Sequence, residues 1–277
     1  MAVESDLQVQ YPQMLYNELL AKVHEALEER LKVLSGDQSG TTGTTLAGNF
    51  AAETSDAGAG SSAGAGTSTF ATSNTMDKHT AFSSSIPKWP IFPDSVAALK
   101  RLAKHFKLVV LSNVDRESFR HTHALLAEGP TWETVKSDMS TYTYPESNPN
   151  KYWHPQETPG SKSPFTLILT AQDTGCYKPA HGGFLAIFEY VKAHPELFGD
   201  LGLGEDEQVK DKGLSVAQSL PHDHVPAHQL GMQSVWIDRQ SAVSCNVDPD
   251  GQKRYGWRFE TLAELADAVE EEISGSN

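Results

Sequence analysis

Cysteine is nearly missing from this chain, which has only Cys176 and Cys245 in 277 residues. A chain of this length can build its own core, so disulfide and zinc-thiolate scaffolds are excluded and reduced thiols are expected. Long apolar runs are missing too. No stretch approaches the roughly 20 apolar residues that a bilayer-spanning helix needs, and the opening MAVESDLQVQYPQ has neither the basic start nor the apolar centre of a secretory signal. A soluble, cytoplasmic protein is expected. Positive charge is in deficit, with 22 Lys and Arg against 36 Asp and Glu and a net charge of -14. Such a surface repels nucleic-acid phosphates and anionic lipid, so neither nucleic acid nor membrane is an expected partner. From Asp37 to about Ser85 large apolar residues almost vanish, leaving Gly, Ala, Ser and Thr. That stretch cannot offset its ordering entropy, and residues 37–86 are expected to be a low-complexity disordered linker or insertion.

What is present on either side is periodic. Leu15, Leu19, Val23, Leu27 and Leu31 recur every four residues, which predicts an amphipathic helix over 12–34 with Pro12 in its first turn, inside a helical region 1–36. Residues 87–277 read as the core. Val96, Leu99, Leu102, Ala103 and Phe106 mark a helix that Asp94 is placed to cap, and the non-alternating LVVLS at 108–112 marks a strand covered on both faces. Helices around Phe119–Leu126 and Phe184–Val191 alternate with strands at PFTLILT (164–170), LSVAQS (214–219) and QSVWID (233–238). A last helix carries Leu262, Leu265, Val269 and Ile273. The polar, proline-punctuated segment 129–163 reads as a surface-loop insertion. Strands separated by helices, without hairpin signals, predict an α/β fold with a doubly wound parallel sheet.

In such sheets ligands sit beyond the carboxyl ends of the strands. The polar residues delivered there are Ser112, Asn113 and Asp115 after the first strand, Asp173, Tyr177 and Lys178 after the second, and Ser219, His222, Asp223 and His224 after the third. A hydroxyl at Ser112, an ammonium at Lys178 and a carboxylate at Asp223 suit a small anionic molecule. Ser112 donates to it, Lys178 neutralises the charge of two negative groups brought together, and Asp223 orients the lysine or a water. Asn113, Tyr177 and Ser219 are the accompanying candidates for substrate binding. Lys178 before Pro179 reads equally well as a solvated loop lysine, and Asp115 reads better as a helix cap than as a catalyst. His224 and His228 stand at i and i+4, the spacing of metal ligands on a helix, yet no third ligand is fixed and no metal site is assigned. The roles of His222, His224 and His228 stay open.

LSNVDRESF, TAQDTGCYKP and VAQSLPHDHVPAHQLGMQSVWIDR resemble, in that order, the second, third and fourth motifs of the haloacid dehalogenase superfamily. The nearest type is the 2-haloacid dehalogenase-like hydrolases of the fungal kind. WPIFPDSVAALKRL and WRFETLAELADAVE resemble the helices that begin that family's core and close its chain. The resemblance implies a Rossmann-like core with a helical cap, of which 1–36 is the start. It also implies hydrolysis through an aspartyl ester: a carboxylate displaces halide or accepts another group, and water then cleaves the ester. Carried onto this chain, Ser112 hydrogen-bonds the nucleophile or substrate with Asn113 in support, Lys178 neutralises charge, and Asp223 holds Lys178 or positions water. The dehalogenases need no cofactor, whereas the phosphatases use Mg2+ held partly by the nucleophilic aspartate. The family's Asp-x-x-Gly-Thr segment on the first core strand has no counterpart here, so that strand and its nucleophile are expected to be missing. Two functions follow: a hydrolase acting on a carbon–halogen or related bond, and a catalytically inactive binding or regulatory relative, a pseudoenzyme. A homodimer is left open.

Overall fold

The computed structural model describes residues 2–35, 77–203, 207–239 and 245–275. Its helices in chain order are α1 Ala2–Gln10, α2 Tyr16–Ser35, α3 Lys78–Ser83, α4 Ser95–Leu102, α5 Arg116–Glu128, α6 Ala171–Thr174, α7 Gly182–Ala193, α8 Pro195–Phe198, α9 Val225–Gln229 and α10 Leu262–Gly275. The strands are β1 Leu108–Ser112, β2 Phe165–Thr170, β3 Leu214–Ala217, β4 Gln233–Ile237 and β5 Trp257–Phe259. No helix among the described residues is long and apolar enough to cross a membrane.

The pairings among these five strands are parallel, as the α/β reading requires. β1 pairs with β2, and β4 lies between β3 and β5 in a separate sheet. Helices cover both faces of the first sheet. Val109, Leu111, Leu167 and Leu169 pack on Tyr190 and Val191 of α7, while Val110 and Ile168 face Phe119 of α5 and Leu99 of α4. In the second sheet Val235 and Ile237 meet Ala98 and Leu102 of α4 together with Leu265 and Ala266 of α10. Each such aliphatic side chain contributes about 1.5–3 kcal/mol on full burial. α4 therefore underlies both sheets.

The periodic amino-terminal run does not make one helix. Pro12 lies in the break between α1 and α2, and α2 begins at Tyr16, where the carboxylate of Asp115 accepts the Asn17 backbone N–H at 3.1 Å. A distant cap sets the start, which local spacing cannot reveal. Leu19, Leu20 and Val23 are buried, but Leu27 and Leu31 are 41% and 64% exposed, so only the first half of the apolar face is covered.

The expected linker also ends earlier than 86. Residues 37–76 lie outside the described residues, but Asp77 caps α3 by accepting from His79 and Thr80 N–H groups, and Phe82 stacks on His24 of α2 at 4.6 Å. Ile86 is buried just beyond it. One phenylalanine and one isoleucine anchor what composition alone assigns to the disordered stretch.

The insertion at 129–163 is more than a surface loop. Tyr142, Tyr152, Trp153 and His154 are buried, and the Ile168 N–H donates to the Trp153 carbonyl at 2.9 Å, which closes the outer edge of β2. Glu128 at the end of α5 organises this segment by accepting from the Tyr142 hydroxyl at 2.8 Å, the Lys136 N–H at 2.8 Å and Lys162 Nζ at 3.2 Å. Burial works to raise its carboxyl, and these donors together with Ser137 outweigh it, holding it at about 2. Aromatic content, not polarity, is the informative signal in that segment.

Asp94 stands at the start of α4 without capping it. Its Oδ2 accepts the Leu262 N–H at 2.9 Å, at the head of α10, and its Oδ1 receives Arg239 Nη1 at 2.7 Å. Burial would raise this carboxyl, and the Arg239 hydrogen bond and charge bring it below the usual range. Asp94→Ala removes a cap and leaves Arg239, 8% exposed, without its partner. A loss of about 2 kcal/mol is expected in urea unfolding, with Asp94→Asn recovering part of it.

Candidate functional site

β1 emerges from between α5 and α7 and ends at Ser112, and the next residue clamps the loop that follows β2. Asn113 Oδ1 accepts the Lys178 backbone N–H at 2.7 Å, and Asn113 Nδ2 donates to the Lys178 carbonyl at 3.0 Å. This reciprocal pair fixes the Lys178 backbone beside β1, at a cis Lys178–Pro179 peptide. The side chain then turns back: Nζ donates to the Leu111 carbonyl at 2.7 Å and to Asp223 Oδ1 at 2.6 Å. Both side chains of this ion pair are 13% exposed. An ammonium has three donors, and the third N–H of Lys178 has no partner among the described residues. Lys178 is thus a held residue, not a solvated loop lysine.

Asp223 arrives from the other sheet. After β3 the chain makes a tight turn over Leu220–His224, in which Ser219 Oγ accepts the His222 N–H at 3.2 Å. His224 pins the turn to the second sheet. It is fully buried, its Nε2 donates to the Ala217 carbonyl at 3.0 Å, and its Nδ1 faces Ser234 Oγ at 2.9 Å. Burial lowers the pKa of both His224 and His222. With both ring nitrogens engaged, His224 positions the loop that carries Asp223.

Ser112 lies between the two residues that hold Lys178, and its hydroxyl makes no side-chain hydrogen bond among the described residues. The structure therefore brings Ser112, Asn113, Lys178 and Asp223 to one rim, at the carboxyl ends of β1 and β3. The other candidates are engaged elsewhere. The Tyr177 hydroxyl donates to the Met14 carbonyl at 2.6 Å, tying the loop to the segment before α2, and burial pushes its pKa up. Ser219 Oγ lies 2.9 Å from His222 Nδ1, and Cys245 Sγ approaches the same nitrogen at 3.6 Å. A surface recess of about 410 Å3 between α5 and the insertion, lined by Arg120, Met139 and Tyr144 among others, contains none of these candidates.

The remaining acids near the strand ends have structural work. Asp115, 2% exposed, accepts from the Ser118 N–H at 2.7 Å and the Ser118 hydroxyl as well as from Asn17, so it caps two helices at once. Asp173 accepts from the Thr170 N–H and hydroxyl and pairs with Arg116 at 2.6 Å. Asp238 pairs with Arg258. Among the described residues, Asp223 is the one carboxylate paired with Lys178. Among the described residues Asp223 is paired with the Lys178 ammonium, and no group of three or more His, Cys, Asp or Glu is placed to hold a metal ion.

No family model and no curated protein matches the chain. Similar solved structures include a 2-haloacid dehalogenase from Pseudomonas syringae pv. Tomato DC3000, with 19% identity, coverage of 65% of this chain and 54% of that one, and a TM-score of 0.35. The HAD-hydrolase YfnB from Bacillus subtilis, bound to magnesium, has 12% identity, coverage of 97% and 79%, and a TM-score of 0.47. A HAD phosphatase from Thermococcus onnurineus has 20% identity, coverage of 65% and 58%, and a TM-score of 0.36. The chain spans little more than half the length of the first and third. At such identities these likenesses carry no activity over to this chain.

Proposed function

We propose that Ser112, Lys178 and Asp223 form the substrate-binding and charge-neutralising part of a hydrolase site of the haloacid dehalogenase kind for a small anionic molecule, a site whose aspartyl-ester chemistry needs a nucleophilic carboxylate that none of Asp115, Asp173, Asp223 and Asp238 supplies. The observation that carries this reading is the Lys178 ammonium held between the Leu111 carbonyl and Asp223, with one N–H left without a partner among the described residues. An anion at the rim takes that N–H and the Ser112 hydroxyl, both in a partly desolvated place where charge-assisted hydrogen bonds are strong. Asn113 positions the lysine by its backbone, and Asp223 keeps the ammonium aimed.

A second reading is favoured by the engagement of Asp115, Asp173 and Asp238. With no uncommitted carboxylate among those three acids, the same rim serves as an anion-binding site without turnover. One experiment separates the readings: binding of 2-chloropropionate and inorganic phosphate to the purified chain, with halide release followed in parallel. Binding weakened at least tenfold by Lys178→Met is expected in either case. Halide release above that of the variant supports the hydrolase, binding without release supports the binding protein, and binding indifferent to Lys178 contradicts both.

A further inference from the structure

The turn after β3 carries more chemistry than Asp223. His222 Nδ1 lies 2.9 Å from Ser219 Oγ and 3.6 Å from Cys245 Sγ. Ser219 Oγ already accepts the His222 backbone N–H at 3.2 Å, so its own O–H is left to donate to the ring. The thiol is a weak donor as well, and Nδ1 is then the acceptor that both share, which assigns the ring proton to Nε2. Cys245 is held there by its backbone. Its carbonyl accepts the Leu220 N–H at 2.8 Å, and with φ at 61° it is the one non-glycine residue of positive φ among the described residues.

A thiol beside a neutral imidazole has what a nucleophile needs, a base in reach to take its proton. Burial, the largest influence, lowers the His222 pKa; the charges of Asp223 and Glu4 oppose it, and that of Lys178 adds to it. The ring is therefore an unprotonated base at neutral pH. Cys245 is only partly buried, so a small reagent reaches it. Cys176 offers a contrast within the same chain: it is also partly buried, but its Sγ meets the Thr174 hydroxyl at 3.8 Å instead of an imidazole. The pair of Cys245 and His222 also stands beside the anion-binding rim. Asp223, whose Oδ1 receives the Lys178 ammonium at 2.6 Å, is the next residue of the same turn, and the charges of both reach the His222 ring.

We propose that Cys245, with His222 as its base, is the nucleophile of this rim and captures small 2-halocarboxylates covalently. Lys178 and Ser112 hold the carboxylate of the incoming molecule. The thiol gives its proton to His222 Nδ1, sulfur bonds to the carbon that carries the halogen, and halide departs with the bonding pair. The product is a thioether, which water does not cleave, so each chain reacts once. The inference rests on the anion-binding reading of Lys178 and supplies the nucleophile that the acids near the strand ends do not.

The test alkylates the full chain at neutral pH with bromoacetate or with its uncharged counterpart bromoacetamide, and follows each cysteine by mass spectrometry. On a chain of net charge -14 an anionic reagent is repelled unless a local cation draws it in. Cys245 is expected to react with bromoacetate about tenfold faster than Cys176, and faster than it reacts with bromoacetamide, with bromide released in step with carboxymethylation. His222→Gln is expected to bring Cys245 down to the rate of Cys176 with both reagents. Lys178→Met is expected to remove the preference for bromoacetate while Cys245 still outpaces Cys176 with bromoacetamide. Equal rates at the two cysteines of the unaltered chain, a comparison that no folding defect disturbs, would overturn the proposal and leave the anion reading standing, as would labelling indifferent to His222. Fast labelling of Cys245 without a preference for bromoacetate would overturn capture at the rim and place the failure in the anion reading itself.

Discussion

Lys178→Met is expected to lower stability by about 3 kcal/mol, because it leaves Asp223 partly buried without its cation and strips the Leu111 carbonyl of a donor. The loss belongs mainly to the orphaned carboxylate, so Lys178→Met combined with Asp223→Asn is expected to recover more than half of it. A double-mutant cycle in urea at neutral pH measures the coupling. Additive single effects would mean that the ion pair contributes nothing, and Lys178 would then have no claim to hold the rim together. Asn113→Ala provides a separate check on positioning. It frees the Lys178 backbone while leaving the charge in place, so anion binding is expected to weaken by less than in Lys178→Met.

His123 carries the second large effect. It is fully buried among Tyr142, Trp153 and Phe165, its Nε2 meets Ser163 Oγ at 2.7 Å, and its Nδ1 has no hydrogen-bond partner among the described residues. Burial pushes its imidazole down to about 3. The unfolded chain has an ordinary histidine that takes up a proton near pH 6.5, so the native state's contribution is fully present above that pH. It is lost as pH falls toward the depressed folded value, at about 1.4 kcal/mol per pH unit. Between pH 7 and 5 His123 alone is expected to account for a loss of about 2 kcal/mol. His222 and His224, also lowered, act in the same window with the same sign, whereas Glu128 acts only below the ordinary carboxylate range. His123→Phe keeps a flat ring in the aromatic cage, and Ser163 Oγ still accepts the Phe165 N–H. The variant is expected to be less acid-sensitive than the parent by that amount. Equal pH dependence in the two proteins would show that the ring titrates normally.

How legible the molecule is in its sequence depends on how local each determinant is. The non-alternating runs of β1 and β2 and the periodic faces of α4, α5, α7 and α10 are written in neighbouring residues, and the all-parallel pairing follows from strands separated by helices. The strand-end rule also places Ser112, Lys178 and Asp223 in one region, although the lysine and the acid come from different sheets. The long-range caps are not legible. Asp94 serves α10 instead of its own helix, and Asp115 serves α2 as well as α5, because a carboxylate at a helix start accepts from whatever N–H the tertiary fold brings to it. β5 is three residues long and was hidden in the approach to α10. The insertion misled by its prolines and polar residues, when its aromatics decide its burial. The Leu111 carbonyl, a backbone atom, leaves no mark in a sequence at all.

The central claim is that the rim formed by Ser112, Asn113, Lys178 and Asp223 receives an anion. Its most direct test is a nuclear magnetic resonance titration of the isotope-labelled chain with 2-chloropropionate and inorganic phosphate. Saturable amide shifts are expected at Ser112, Asn113 and Lys178, and they should vanish in Lys178→Met. Shifts confined to other surfaces, or unchanged when Lys178 is replaced, would contradict it.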